Sequence, residues 1–147
     1  MGAKHGLYNL TNQAEMYRAD SACDVYFDVF DQVGAINFAK TEEAKKKNLD
    51  ALLNNVIPKT YKFLEKRLTS LNVKYVSGNN LCYADFCWAS FMVTIASNAN
   101  FPFSGELMAQ LAMYPKTKQY LETMQKIVDP YVKVRPQRSF WPCLTLS

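Results

Sequence analysis

The sequence predicts an all-α fold, and three observations support this prediction. Apolar residues recur at helical spacing along most of the 147-residue chain. The six prolines and five glycines are sparse and cluster mostly where helices should stop. No segment alternates apolar and polar residues over the length of a useful strand. The length fits one domain, and 49% hydrophobic residues are enough to form a core.

Composition also excludes several classes of protein. The longest apolar stretch, 86–96, is far shorter than the roughly 18 residues that span a bilayer, and the N-terminus lacks the apolar core of a signal peptide. We therefore expect a cytoplasmic protein that is not secreted. The net charge is +4, but the main basic cluster, 45–47, adjoins Glu42 and Glu43. Mixed signs indicate a solvated helix face, so no nucleic-acid binding is expected.

The cysteines do not predict a metal site. No two of the four form a C-x-x-C pair, and the single histidine, His5, is distant from all of them in sequence. Zinc needs several such ligands at short spacing, so no metal is expected. We expect reduced thiols with structural roles. The four cysteines are Cys23, Cys82, Cys87 and Cys143.

The first predicted helix runs from about Thr11 to Phe38, with Thr11 or Asn12 as its cap. Like charges one turn apart disfavour a helix by about 0.2–0.5 kcal/mol a pair. The acidic face of this helix therefore has two interpretations, a solvated surface or a surface for a cation or basic partner. Four carboxylates, spaced four, four and three residues apart, form that face: Asp20, Asp24, Asp28 and Asp31.

The second predicted helix runs from about Thr41 to Leu71. Thr41 is a suitable N-cap. Pro58 lies inside the helical pattern and removes a backbone donor, which predicts a kink at about 54–58. The connection to the first helix, 39–41, is short, so the two long helices should form an antiparallel pair.

Three further elements complete the predicted fold. A loop over 73–81 leads into a third helix, 82–98, whose apolar residues lie almost all round it, as in a buried central helix. Ser104 is the predicted cap of a short helix that ends near residue 113. Pro115 should occupy the first turn of a last helix that ends near Ile127. Prolines should make the tail, 130–147, irregular.

The start of the third helix carries a specific motif. Asp85 is three residues after Cys82, where its carboxylate can accept a hydrogen bond from the Cys82 N–H, one half of a capping box. A thiol is a weak acceptor, so the other half is expected to be lost, at a cost of about 1 kcal/mol. Leu81 and Phe86 occupy the positions of a hydrophobic staple, and Gly78 belongs to the preceding turn.

This motif resembles the C-terminal helical domain of glutathione S-transferases. Gly78, Ala84 and Asp85 match the family's pattern of glycine, short turn, Ser or Thr, and x-Ala-Asp, and Cys82 departs from it. The order of the helices agrees over nearly the whole chain, and the aspartate spacing in the first helix looks most like the sigma, alpha and mu classes. The resemblance implies a helical bundle with two long antiparallel helices and a buried central helix, in which 1–10 is a remnant of the inter-domain segment.

The resemblance also assigns site residues on the first helix. In the family an aspartate that matches Asp28 contacts the glutathione of the partner subunit. Asp24 and Asp28 match a candidate cation site, although Phe27 replaces one acidic ligand, so no metal is expected. One wall of the substrate pocket would be formed by residues that could equally be ordinary core or helix contacts: Phe30, Gly34 and Phe38.

Three functions stay open from the sequence. The family's catalytic group lies in a thioredoxin-like domain that would precede this chain, so the resemblance implies no catalytic residue here. Glutathione is expected as a cofactor only where that domain is present. The first hypothesis is a non-catalytic interaction subunit of a larger complex. The second is a fragment of an active dimeric glutathione transferase, and the third is a carrier of apolar ligands. The expected partners are other proteins or a second copy of the chain.

Overall fold

A computed structural model describes residues 2–134, and every regular element in this range is helical. The all-α prediction is therefore confirmed. A short 3₁₀ turn, Gly2–His5, precedes the first helix, and π-helical turns lie at Leu52–Val56 and Met92–Ala96. The α-helices are α1 (Gln13–Asn37), α2 (Glu42–Ala51), α3 (Ile57–Leu71), α4 (Tyr83–Phe91), α5 (Ser104–Leu111) and α6 (Pro115–Val134).

Helix α1 begins and ends close to the predicted positions. Asn12, rather than Thr11, is the N-cap, because its side chain accepts a hydrogen bond from the Glu15 N–H at 3.2 Å. One face of the helix is buried at helical spacing and packs against α2 and α4. That face consists of Ala19, Ala22, Cys23, Val29, Val33 and Ile36.

The second predicted helix is present, with a π-helical turn in place of a simple kink. Thr41 caps α2, as predicted, by accepting from the Ala44 N–H at 3.2 Å. Pro58 has no N–H to offer the carbonyl four residues earlier. Just before Pro58 the helix makes a π-helical turn, in which the Ile57 N–H bonds to the carbonyl of Leu52, five residues earlier.

Helices α1 and α2 form the predicted antiparallel pair. The Gln32 side chain donates to the Asn48 carbonyl at 2.9 Å, and the Asn48 side chain donates back to the Ala35 carbonyl at 2.9 Å. These reciprocal bonds fix the register of the two helices. On the outer face of α1, Phe27 and Phe38 stay more than half exposed.

Helix α4 is the buried centre of the bundle, as predicted. It contacts α1 on one side and α6 on the other. Trp88 and Phe91 are fully buried, and their rings meet edge to face at 5.8 Å. Phe91 also meets the buried ring of Tyr61 from α3 at 6.3 Å. Each such aromatic pair contributes about 0.5–1.5 kcal/mol beyond the burial of its surface.

The prediction for the C-terminal part needs two corrections. Ser104 does not cap α5, because it is already the first helical residue and Phe103 stands before it without a capping side chain. The irregular tail does not begin at residue 130, because Pro130 lies inside α6, which continues to Val134. Lys133 and Asp129, which are one helical turn apart on either side of Pro130, form an ion pair at 2.6 Å. Residues 135–147 lie outside the described residues.

A carboxylate from α3 fixes the start of α6. The Glu65 carboxylate accepts hydrogen bonds from the Lys116 N–H at 3.2 Å and from the Thr117 N–H at 2.8 Å. These are two of the backbone donors that a helix start leaves unpaired, and negative charge is favourable there. Over the part of the chain that is described, no helix is both long enough and apolar enough to cross a membrane.

Candidate functional site

The motif at the start of α4 builds a buried carboxylate. Asp85 has no exposed surface, and its oxygens accept hydrogen bonds from three donors. The Val76 N–H donates at 3.1 Å, the Cys82 N–H at 2.8 Å and the Tyr120 hydroxyl at 2.7 Å. A buried charge needs such partners, because desolvation would otherwise exclude it. One side chain therefore joins the loop before α4, the start of α4 and the middle of α6.

Tyr120 is the side-chain donor of this network that the sequence did not reveal. It lies 35 residues after Asp85, and only the fold brings the two together. Burial raises the pKa of the Tyr120 phenol well above its usual value of 10.0, and the Asp85 carboxylate adds to this rise. The tyrosine is therefore held as a neutral hydrogen-bond donor.

Cys82 takes the capping position, with its sulfur where the usual hydroxyl stands opposite the Asp85 N–H. That N–H bonds to the Cys82 carbonyl at 3.2 Å, so the expectation that the thiol half of the box is lost stays a prediction. Burial raises the pKa of the Cys82 thiol to about 11, and the Asp85 charge contributes to the rise. The thiol therefore stays protonated and has a structural role.

The other residues of the motif divide between the core and the surface. Ala84 is fully buried and Leu81 packs against the core. Phe86 is 37% exposed, so the predicted staple with Leu81 stays a prediction. The Gly78 carbonyl closes the loop by accepting from the Tyr75 N–H at 2.9 Å. A Cβ on Gly78 would meet the Glu15 carboxylate at 3.5 Å, which is ordinary contact.

The candidate binding residues lie on two adjoining flanks of α1, which meet where Phe27 is about 40° from Asp31 around the helix. At about 100° per residue, Asp28 and Phe30 point roughly 160° apart on the helix. We call the side toward α3 the acidic flank and the side toward α4 the aromatic flank. The acidic flank consists of Asp24, Asp28 and Asp31, and the aromatic flank consists of Phe27, Phe30, Gly34 and Phe38.

The acidic flank borders an open groove of about 660 Å³ between α1 and α3. Asp28 and Asp31 line its α1 wall, and Lys59 and Phe63 line the α3 wall. Neither aspartate has a hydrogen bond or ion pair with another described residue. Two solvated carboxylates in a concave surface can accept hydrogen bonds from an ammonium or guanidinium group of a ligand or partner.

The aromatic flank is an apolar surface with large exposed side chains. Phe27 is 52% exposed and Phe38 is 71% exposed. Phe30 is held in place by stacking on Tyr26, with ring centroids 6.0 Å apart. Gly34 has open space where a Cβ would stand, so the surface is indented there. The role of Phe30, Gly34 and Phe38 as a substrate wall stays a prediction.

Asp20 differs from Asp24, Asp28 and Asp31 because its carboxylate has hydrogen-bond partners within the chain. It accepts hydrogen bonds from the Tyr8 hydroxyl at 2.9 Å and from the Tyr83 hydroxyl at 2.6 Å. Desolvation raises the pKa of Tyr83 well above its usual value, and the bond to Asp20 raises it further. The sequence presented four equivalent aspartates, whereas the structure assigns this one to joining the N-terminal segment, α1 and α4.

The candidate cation site consists of two exposed carboxylates one turn apart. Phe27 stands between Asp24 and Asp28 in the sequence, where the family pattern has a further acid. Within residues 2–134 no group of three or more His, Cys, Asp or Glu side chains could hold a metal ion. Divalent hard cations require six or more oxygen ligands, so two carboxylates do not fit such an ion without ligands from elsewhere.

Comparison with known families identifies the class of protein. Residues 27–131 match the family described as glutathione S-transferase, C-terminal domain. That range is more than half of the chain and includes both α1 flanks from Phe27 onward and the buried Asp85 network. The chain therefore belongs to the glutathione S-transferase family, through that family's C-terminal domain. A search of curated proteins finds no match.

Solved structures share the fold at low sequence identity. The glutathione S-transferase Blo t 8 matches with a TM-score of 0.74 and 13% identity, over 90% of this chain and 58% of that chain. Prostaglandin synthase D of Nilaparvata lugens matches with a TM-score of 0.71 and 19% identity, over 93% of this chain and 65% of that chain. Rat hPGDS, complexed with a quinoline, matches with a TM-score of 0.67 and 20% identity, over 88% of this chain and 60% of that chain. The chain thus spans less than two thirds of the length of each of these structures.

Proposed function

We propose that this chain is a protein-interaction module, a glutathione-transferase-type helical domain that binds another polypeptide and supplies no catalytic group of its own. The observation that carries the proposal is the outer face of α1. Its aromatic flank is exposed and its acidic flank has unpaired carboxylates beside a groove. An apolar surface rimmed by charge is the usual composition of a protein interface.

The buried titratable groups of the domain support a structural rather than a catalytic role for these side chains. Asp85, Tyr120 and Cys82 are buried in the network that caps α4. The thiol and the phenol are held protonated, whereas a nucleophile requires an adjacent base or a lowered pKa. The proposal therefore includes no cofactor for this chain and places glutathione only in an assembly that has a catalytic domain.

The surface of α1 also indicates which chemical features the partner should have. An apolar segment would cover the aromatic flank, and a lysine, arginine or terminal ammonium would pair with Asp28 and Asp31 across the groove. A protein with both features fits better than a nucleic acid, because phosphates would meet carboxylates on this face. The proposal places the complex in the cytoplasm.

Native mass spectrometry of the endogenous protein tests the proposal. We expect this chain in a stable complex with a different polypeptide. The F27A/F30A double variant should lose the complex, whereas Y17A should keep it, because Tyr17 is an even more exposed aromatic of α1 that lies off the aromatic flank. A free monomer at physiological concentration, or equal effects of both variants, would contradict the proposal.

The second candidate is the helical half of an active dimeric glutathione transferase. The unpaired carboxylate of Asp28 favours it, because the family places an aspartate there against the ammonium of the partner subunit's glutathione. Joining the chain to a thioredoxin-like domain should then give a dimer that is retained on immobilised glutathione. D28N should elute at lower glutathione concentration, and D24N, its neighbour outside the groove, should not. Retention that is the same in both variants would remove this role for Asp28.

A further inference from the structure

Two cysteines from different helices meet beneath the aromatic flank. Cys23 Sγ on α1 lies 3.7 Å from Cys87 Sγ on α4, although 64 residues separate them in sequence. Cys23 is 7% exposed and Cys87 is partly exposed. Cys87 is therefore the thiol that a reagent in solution can reach. The spacing of the cysteines did not indicate this pair, because no C-x-x-C motif or common helix joins the two residues.

We propose that Cys23 and Cys87 form a reversible redox site, which a low-molecular-weight disulfide such as oxidised glutathione converts to a disulfide bond that links α1 to α4. A disulfide has sulfurs about 2.05 Å apart, so the two must approach by roughly 1.7 Å. The two helices already pack against each other here. Small rotations of both side chains, with a slight shift of the helices, would bring the sulfurs together.

The exchange takes place in two balanced steps. The Cys87 thiolate attacks one sulfur of oxidised glutathione, which forms a mixed disulfide and releases one glutathione thiolate. The Cys23 thiolate then attacks the Cys87 sulfur, which forms the intramolecular bond and releases the second glutathione. The two protein thiols are oxidised, one glutathione disulfide is reduced to two glutathione molecules, and the two protein protons pass to the released thiolates.

The surroundings of the pair make the reaction slow and its product stable. Burial raises the pKa of the Cys87 thiol, and the neighbouring Cys23 raises it further. Because the thiolate is the attacking species, exchange at neutral pH should take minutes to hours. Once formed, the bond would close a loop of 64 residues and restrict the unfolded chain, which stabilises the folded state.

The position of the pair connects it to the aromatic flank. Tyr26 follows Cys23 by about one turn of α1, and its ring meets that of Trp88, the residue after Cys87, at 5.9 Å between centroids. The Tyr26 ring also lies 5.4 Å from that of Phe27 and 6.0 Å from that of Phe30. A movement that closes the disulfide would therefore act first on the ring that supports this surface. The redox site does not depend on the proposed interaction and can be tested without any partner.

The test uses the full chain in glutathione redox buffers. The C82S/C143S variant keeps only the two proposed cysteines, and serine at 82 restores the usual capping residue. At a high proportion of oxidised glutathione, we expect an intact mass lower by two hydrogens, joint protection of both thiols from alkylation in denaturant, and a non-reduced peptide that joins residues 23 and 87. The Tm should rise by roughly 5–10 °C, and reduction should reverse every change.

Three outcomes would overturn the proposal. Both thiols could remain open to alkylation in the most oxidising buffer, a glutathione adduct on Cys87 could persist without closure, or the wild-type cross-link could map to Cys82 or Cys143. The C23A variant in the same background provides the control, since it should accumulate the Cys87 adduct and show no change in Tm. The wild-type chain alone can decide the question if this variant does not fold.

Discussion

Two aspartates of the same domain have opposite surroundings. Asp85 is fully buried and accepts three hydrogen bonds, whereas Asp28 is exposed and has no partner among the described residues. A buried carboxylate is retained only when its interactions outweigh the cost of desolvation. An exposed and unpaired one contributes little to the fold, and its use has to come from outside the chain. The comparison separates the residue that specifies this structure from the residue that is available for binding.

The largest effect on stability is expected from removing the buried carboxylate of Asp85. Asp85→Ala should lower the free energy of unfolding by about 3–5 kcal/mol, because it leaves two backbone N–H groups and one hydroxyl unsatisfied inside the protein. Urea denaturation monitored by circular dichroism gives the value. The matched variant Asp28→Ala should change stability by less than about 0.5 kcal/mol. Equal losses in the two variants would show that the capping network does not hold α4.

Removing one donor of the network should have a smaller effect. Tyr120→Phe keeps the ring in the core and deletes only the hydroxyl that donates to Asp85. We expect a loss of about 1–2 kcal/mol, because the carboxylate keeps its two backbone donors. A loss as large as that of Asp85→Ala would mean that the tyrosine, rather than the capping box, is the principal support.

The same tyrosine predicts a dependence of stability on alkaline pH. Its folded pKa is raised above the unfolded value of 10.0, so the unfolded chain releases this proton first. The stabilisation by neutral Tyr120 is therefore complete below pH 10 and decreases as the pH rises from 10 toward the folded pKa. Unfolding free energies measured between pH 8 and 11 should fall less steeply for Tyr120→Phe than for wild type. Parallel curves would exclude a contribution from this group.

A still smaller change in the free energy of unfolding is expected at the capping residue Cys82, and here stability should increase. Cys82→Ser replaces a weak acceptor with a hydroxyl of the kind that helix starts prefer. We expect stability to rise by about 0.5–1 kcal/mol, measured by urea denaturation under reducing conditions. Cys82→Ala provides the comparison and should lower stability. If serine also lowers it, the packing of the sulfur outweighs its weakness as a cap.

The sequence predicted the helices and the capping motif because both depend on local order. Helical spacing, the cap at Thr41 and the Cys82 to Asp85 spacing all act within a few residues. It failed at Pro130, where an ion pair inside α6 spans a residue that usually ends a helix.

Contacts between distant segments could not be predicted in the same way. Tyr120 with Asp85, and Cys23 with Cys87, are 35 and 64 residues apart. The sequence carries no periodic signal for such pairs, since only the packing of α1, α4 and α6 brings them together. For the same reason it could not show that Asp20 is bonded to two tyrosines while Asp28 stays open.

The smallest effect on stability belongs to Asp28→Asn, and this variant provides the sharpest test of binding. The substitution keeps the size of the side chain and removes its charge at an exposed position, so the free energy of unfolding should stay within about 0.5 kcal/mol of wild type. Affinity for a basic partner should fall by roughly 3- to 10-fold, as expected for one charged pair at the edge of an interface. Isothermal titration at two salt concentrations measures it, and Asp24→Asn controls for net charge. A loss shared by both variants would indicate long-range attraction, whereas a loss confined to Asp28→Asn would locate the contact in the groove.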